Sequence, residues 1–235
     1  MTIKRFYKDA AATRVSGGYG VALDGRAVRT PARSELTLPT QPLADAVAAE
    51  WAAQAELVEP ETMPMMRLAS TAIDRVAPQR EIVIDEIAGY AQSDLLCYRA
   101  DTPKALVARQ AAVWQPLLDW AALELDAALV VTTGIIPVSQ PDDAVAALRR
   151  AVAANDDFVL AGLHGLTTTT GSLIVVLAVR NGKIAVAEAC AASFLDEEWQ
   201  AEIWGRDLEA EARRERLRDD IHAIGRYFAL LKGYV

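Results

Sequence analysis

The stretch VSGGYGVALDGRAVRTP, residues 15–31, decides how the chain begins to fold. Tyr19, Val21 and Leu23 alternate with smaller residues before Asp24-Gly25, and Ala27 and Arg29 resume the alternation after it. Side chains two apart share one face of a strand. Asp-Gly accepts the left-handed backbone that a two-residue hairpin turn demands, so the segment predicts an antiparallel hairpin. Gly17-Gly18 marks another turn just upstream. A phosphate loop is the competing reading of these glycines. It requires a following Lys-Ser/Thr and an opening helix, and neither is present. ELTLPT, residues 35–40, predicts a further short strand ending at Pro39.

Beyond residue 40 the period changes from two to about four. Thr40 is a helix cap with Pro42 tolerated in the first turn, and Leu43, Val47, Trp51 and Ala55 follow at helical spacing. Met65, Leu68, Ala72 and Val76 form a second stripe, and Val83, Ile87 and Tyr90 a third. DLLCYRA, residues 94–100, reads as a strand able to rejoin the N-terminal sheet. Pro103 then marks a boundary.

The remainder reads as mainly helical. Leu106, Gln110, Val113, Leu117 and Trp120 make a near-heptad stripe interrupted by Pro116, which predicts a kink or two abutting helices. LVVTTGIIPV, residues 129–138, is a strand or an extended crossing. Residues 141–153 read as a helix, with Asp142 and Asp143 suited to its first turn. GLTTTTGSLIVVLAV, residues 165–179, has strand propensity, yet Thr170 or Ser172 can cap a short buried helix ending at Asn181-Gly182; the helical neighbours favour a helix. Residues 183–194 continue as helix. Leu217, Ile221, Ile224 and Phe228 lay an apolar stripe on a charged rod. The expected fold is α+β: an N-terminal α+β domain with a small antiparallel sheet, residues 1–100, then a mainly helical domain, residues 101–235.

Composition bounds the function. The chain has 235 residues, 52% of them hydrophobic, enough to bury a core without disulfide or metal staples. A net charge of −8 gives no general attraction to nucleic acid or anionic lipid. No apolar run is long enough to span a bilayer, and the first residues hold no signal-peptide core, so a soluble protein in a reducing compartment is expected. Cys97 and Cys190 sit in apolar contexts as buried small hydrophobes, and the two histidines, His164 and His222, are isolated. Neither set has metal-ligand spacing.

No nucleophile elbow, Walker loop or zinc-protease motif occurs. Ser172 follows a glycine but lacks the second glycine of an elbow. Paired carboxylates do occur. In LDEEWQAEIWGRD, residues 195–207, Glu198 and Glu202 lie four apart on one helix face. They admit a two-carboxylate catalytic site, but a solvated acidic face is the simpler reading. Trp51, Trp114 and Trp120 border apolar stripes and read as packing residues. Trp199 lies at four-residue steps between Leu195 and Ile203 and reads as inward. Trp204 is turned about 100° from Ile203, toward the rim. Residues 196–220 hold ten acidic and five basic side chains, a charge excess that a solvated helix explains and that an acidic docking face for a basic partner surface explains too.

Several runs together resemble the assembly chaperone family for the α subunit of the F1 sector of ATP synthase. They are RFYK (5–8), YGVALDGRAVRTP (19–31), LTLPTQPLADAVAAEW (36–51), MPMMRLASTAIDRV (63–76), YAQSDLLCYRA (90–100), WQPLLDW (114–120) and LDEEWQAEIWGRD (195–207). Their order spans nearly the whole chain. The resemblance implies a chaperone, not an enzyme, with no cofactor and no metal. Its implied partner is the free α subunit of F1-ATPase, shielded from aggregation until the β subunit replaces the chaperone. No nucleic acid and no membrane insertion are implied, and a monomer is expected. With RFYK at residue 5 it implies no presequence: a bacterial cytoplasmic protein, or alternatively a mitochondrial matrix protein already stripped of one. The family's acidic C-terminal run falls on Glu198, Glu202, Asp207 and Glu209. These, with Trp204, are the expected partner-binding residues, and Arg26 and Arg29 of the hairpin form a second candidate surface.

Overall fold

The computed structural model describes residues 3–134 and 136–232. Its elements, in chain order, are β1 (Ile3–Lys4), β2 (Ala10–Val15), β3 (Gly18–Leu23), β4 (Arg26–Ala27), α1 (Gln41–Ala52), β5 (Leu57–Val58), α2 (Pro64–Thr71), α3 (Arg80–Gly89), β6 (Tyr98–Arg99), α4 (Lys104–Glu124), β7 (Thr132–Thr133), α5 (Asp142–Ala153), α6 (Asp157–Thr170), α7 (Leu173–Arg180), α8 (Val186–Ser193), α9 (Leu195–Trp204) and α10 (Leu208–Leu230). The expected fold class holds: a small antiparallel sheet near the N-terminus and a mostly helical remainder.

The chain forms two compact units. The first comprises residues 1–80, 156–162 and 223–235, and the second residues 81–155 and 163–222. The unit boundary is crossed within α6 and α10, so both units are built from separated stretches of sequence.

In the first unit the predicted hairpin is present. β3 pairs β4 with Leu23 opposite Arg26, and Asp24 and Gly25 both take positive φ, 47° and 78°. That is the turn whose twist matches the strands it joins. The Asp24 carboxylate accepts from the backbone N–H of Asp9 at 2.9 Å and of Lys8 at 3.1 Å, and these bonds hold it below the usual carboxylate range. β2 pairs β3 from Ala10↔Leu23 to Val15↔Gly18. Residues 35–40 do not form the expected strand. They make two isolated bridges, Arg29↔Glu35 and Tyr19↔Leu38. Pro39 has no N–H to extend the ladder past Leu38. A Cβ on Gly18 would lie 2.4 Å from the Leu38 carbonyl oxygen, so the chain crosses here at a distance only glycine permits.

Helix α1 starts where its cap predicts. Thr40 Oγ1 accepts from Leu43 N at 3.2 Å and donates to the Leu230 carbonyl at 2.7 Å, tying α1 to the end of α10. Leu43 and Val47 are fully buried, whereas Ala55 is exposed and lies beyond the helix. α1 also caps its neighbour: the Glu50 carboxylate accepts from Met65 N at 2.7 Å and Met66 N at 2.9 Å, supplying partners for the unpaired first N–H groups of α2. Past α2 the backbone widens into a π turn, Ala72–Val76.

In the second unit Trp114, Leu148, Leu163 and Leu166 are fully buried core residues. The ambiguous run at 165–179 is helical throughout apart from a sharp break. α6 ends at Thr170, Gly171 turns at φ 69°, and the Ser172 hydroxyl caps α7 by accepting from Val175 N at 3.1 Å. Gly182, at φ 71°, follows the end of α7. The expected strand at 94–100 is different. Leu95–Cys97 is a 3₁₀ turn, and β6 pairs in parallel with β7, Tyr98↔Thr132, not with the N-terminal sheet. Only Thr132–Thr133 of the run at 129–138 is a strand, and Ile135 lies outside the described residues. α4 runs as one helix with Pro116 inside it. α8 starts at Val186, later than expected.

Candidate functional site: the corner between α9 and α10

Helix α9 begins in the core and leaves it. Leu195 is buried, Trp199 is half-buried and Ile203 is 59% exposed. The expected inward face therefore lasts one turn and a half. Ile203 shares it by periodicity, yet its side chain stays exposed in the last turn of the helix. Trp204 at its end is 79% exposed, as its position toward the rim suggested. Gly205, at φ 92°, ends the helix, and α10 starts three residues later with Leu208 82% exposed. Three large apolar side chains thus stand in water at one corner, where single exposed residues are ordinary but a cluster is not.

The carboxylates around this corner divide by partner. Glu202 accepts from Arg109 of α4 through both oxygens, at 2.7 and 2.9 Å, and this fork holds its carboxyl below the usual range. Such bidentate pairs fix orientation as well as charge. The same guanidinium lies 5.8 Å from the Trp199 ring centroid. Glu198 pairs with Arg218 of α10 at 2.6 Å, and Arg218 in turn lies 5.7 Å from the Phe194 ring. Asp207 caps α10, its Oδ1 accepting from Ala210 N at 2.8 Å. Glu209 is exposed and enters no ion pair among the described residues. Sequence spacing placed Glu198 and Glu202 on one face. It had no way to show that Arg218 and Arg109, from two other helices, neutralise them and lock α9 in place.

The catalytic alternatives find no support in the geometry. Glu198 and Glu202 point to separate arginines. Ser172 Oγ donates to Asp94 at 2.8 Å, and Asp94 also accepts from Leu96 N at 3.0 Å and Ile174 N at 3.1 Å. This buried carboxylate, pushed up to about 6 by burial against those bonds, organises the start of α7. Gln110 bridges Ala100 N and Asp196, and Asp119 accepts from Gln115. Cys97 is fully buried, and that burial pushes its thiol up to about 12. Among the described residues no group of His, Cys, Asp and Glu is placed to hold a metal, and no helix is long and apolar enough to cross a membrane. Trp114 and Trp120 are buried as expected, Trp114 Nε1 donating to the Ala192 carbonyl at 2.9 Å.

The small antiparallel sheet and mostly helical remainder are those of a known class of assembly chaperones. Residues 4–122 match the family described as ATP12 chaperone protein. Atp12 from Paracoccus denitrificans has the same fold, with 46% identity, a TM-score of 0.93 and coverage of 97% of this chain and 98% of that one. A point mutant of that protein matches at 45% identity and TM-score 0.93, over 97% and 98% of the two chains. The Atu1473 protein of Agrobacterium tumefaciens, a putative chaperone, matches at 42% identity and TM-score 0.94, over 98% of this chain and 87% of that one. The mitochondrial protein atp12 of Schizosaccharomyces pombe is 24% identical over 216 residues, 87% of this chain and 74% of that protein. The chain belongs to the ATP12 chaperone family, and it is a chaperone of F1-ATPase assembly.

Proposed function

We propose that this chaperone binds the free α subunit of F1-ATPase as a monomer, keeps it from aggregating, and yields it when the β subunit arrives, without catalysing a reaction. The α9–α10 corner is the docking face. Trp204 is its anchor, flanked by Ile203 and Leu208, and Glu209 supplies the outward charge. Glu198, Glu202 and Asp207 complete the face from their positions at its base. The observation that carries this reading is the exposed apolar cluster inside a charged rim. Aromatic anchors ringed by polar groups are how protein interfaces concentrate binding energy. An unassembled subunit exposes apolar interface that must be covered, yet a partner that later leaves cannot bind through a large dry surface. A corner with one strong anchor and charged surroundings meets both needs. The bacterial cytoplasm is the proposed location, with the mitochondrial matrix as the alternative. Pull-down of the tagged chain from cells making free α subunit tests the reading. The α subunit is retained by wild type and depleted with Trp204→Ala; capture of no α subunit by the folded wild type would overturn it.

A further inference from the structure

Wholly within the first unit lies a recess of about 790 Å³ between α1, α2, the π turn and the loop after the hairpin. Its walls include Trp51, Val58, Met63 and Met66, with Pro31 and Pro60 at the edges. This size and lining are those of a ligand groove. Methionines fit varied shapes, which suits a surface that accepts more than one apolar side chain. The Trp51 ring is held by an edge-on contact with Tyr7, centroids 5.7 Å apart, while Tyr7 Oη donates to the Trp51 carbonyl at 2.7 Å.

Two polar groups in the walls have no partner among the described residues: the indole N–H of Trp51 and the hydroxyl of Ser70. Ser70 is 7% exposed. A buried donor without an acceptor costs stability, and such a group calls for an explanation. The rim carries the opposite sign to the chain as a whole. Arg29 and Arg75 are exposed and in no ion pair among the described residues, whereas the net charge is −8. Asp74, the acidic residue of the rim, is already engaged. Its oxygens accept from Thr30 Oγ1 at 2.7 Å and Ala32 N at 3.0 Å, pinning the hairpin loop to the π turn.

We infer that this groove binds a short extended peptide segment with apolar side chains flanked by carboxylates. The apolar side chains fill the methionine-lined floor. The flanking carboxylates meet Arg29 and Arg75. A hydrocarbon ligand satisfies only the first of these, and a basic peptide is repelled by the rim. The inference rests on the chaperone reading solely for the source of the segment, which is the client; the chemistry is testable without the client.

The probe is the peptide acetyl-Asp-Leu-Phe-Leu-Glu-amide, titrated calorimetrically into the full chain with Trp emission followed in parallel. Saturable binding is expected, at least tenfold weaker for the same peptide with lysines at both ends and fivefold or more weaker with Arg29→Glu or Arg75→Glu. Trp51→Phe removes the emission change attributable to the groove, leaving signals from the other tryptophans. No saturable binding up to about 1 mM, equal binding of the lysine peptide, indifference to both arginine reversals, or preference for decanoate over the peptide would each overturn the inference. None of these results bears on α-subunit binding at the α9–α10 corner, which the Trp204 variant reads separately.

Discussion

Truncating Trp204 to alanine removes the proposed anchor while leaving the fold alone. A tryptophan side chain buries roughly 150–250 Å² when fully covered. With 79% of it exposed in the free protein, roughly 160 Å² is available to a partner. At about 25 cal/mol per Å² that is a ceiling of about 4 kcal/mol. Ordering the side chain and covering it imperfectly take back about 1–2 kcal/mol. Trp204→Ala is therefore expected to weaken binding by about 2–3 kcal/mol, or roughly 30- to 150-fold. Stability should move by no more than about 0.5 kcal/mol, because the ring touches little in the free chain. The assay is a biosensor titration of immobilised α subunit, with urea unfolding of each variant. Leu123 of α4 provides the control. It is 81% exposed and lies about 21 Å along its helix from Arg109, so Leu123→Ala should leave affinity unchanged. An affinity within threefold of wild type for Trp204→Ala, with unfolding unaltered, would refute the anchor.

Three structural predictions accompany it. Burial raises the Asp94 carboxyl from 3.8 to about 6, so its stabilising contribution is complete below pH 4 and lost as pH rises through 6. Asparagine cannot titrate, so the stability difference between wild type and Asp94→Asn should be about 2 kcal/mol larger at pH 4.5 than at pH 7.5; a pH-independent difference in urea unfolding would contradict this. A Cβ on Gly162 would meet Phe228 Cε1 at 2.4 Å, so Gly162→Ala should destabilise by about 1–2 kcal/mol despite its helix propensity, and Phe228→Ala should cancel that penalty in the double variant. Glu50→Ala removes the carboxylate that caps α2 and should cost about 1–3 kcal/mol, read as a lowered unfolding midpoint.

Local chemistry made part of this structure legible in advance. Asp24-Gly25 specified its turn, Thr40 its helix start, and Ser172 with Asn181-Gly182 both ends of a helix whose interior reads as strand. Each of these depends on backbone conformations within a few residues. What escaped depends on distance. DLLCYRA has strand character, but only the fold shows that Tyr98 pairs with Thr132. Ile203 follows the apolar period of α9, yet the period says nothing about where the neighbouring helices stop. The same applies to the binding surfaces. Trp204 was legible from its angle on the helix, whereas the arginine partners of Glu198 and Glu202 lie 20 and 93 residues away. Arg29 was visible as a basic hairpin residue, but the groove it borders is assembled from four separate segments.

The most direct measurement of the central claim follows the α subunit through a complete cycle. Purified α subunit, refolded from denaturant with this chaperone present, is separated by size-exclusion chromatography with light scattering, and purified β subunit is then added. The account predicts a soluble one-to-one complex of chaperone and α subunit, and free chaperone monomer once β is added. Precipitation of α subunit despite the chaperone, or a chaperone that remains bound after β has joined, would contradict it.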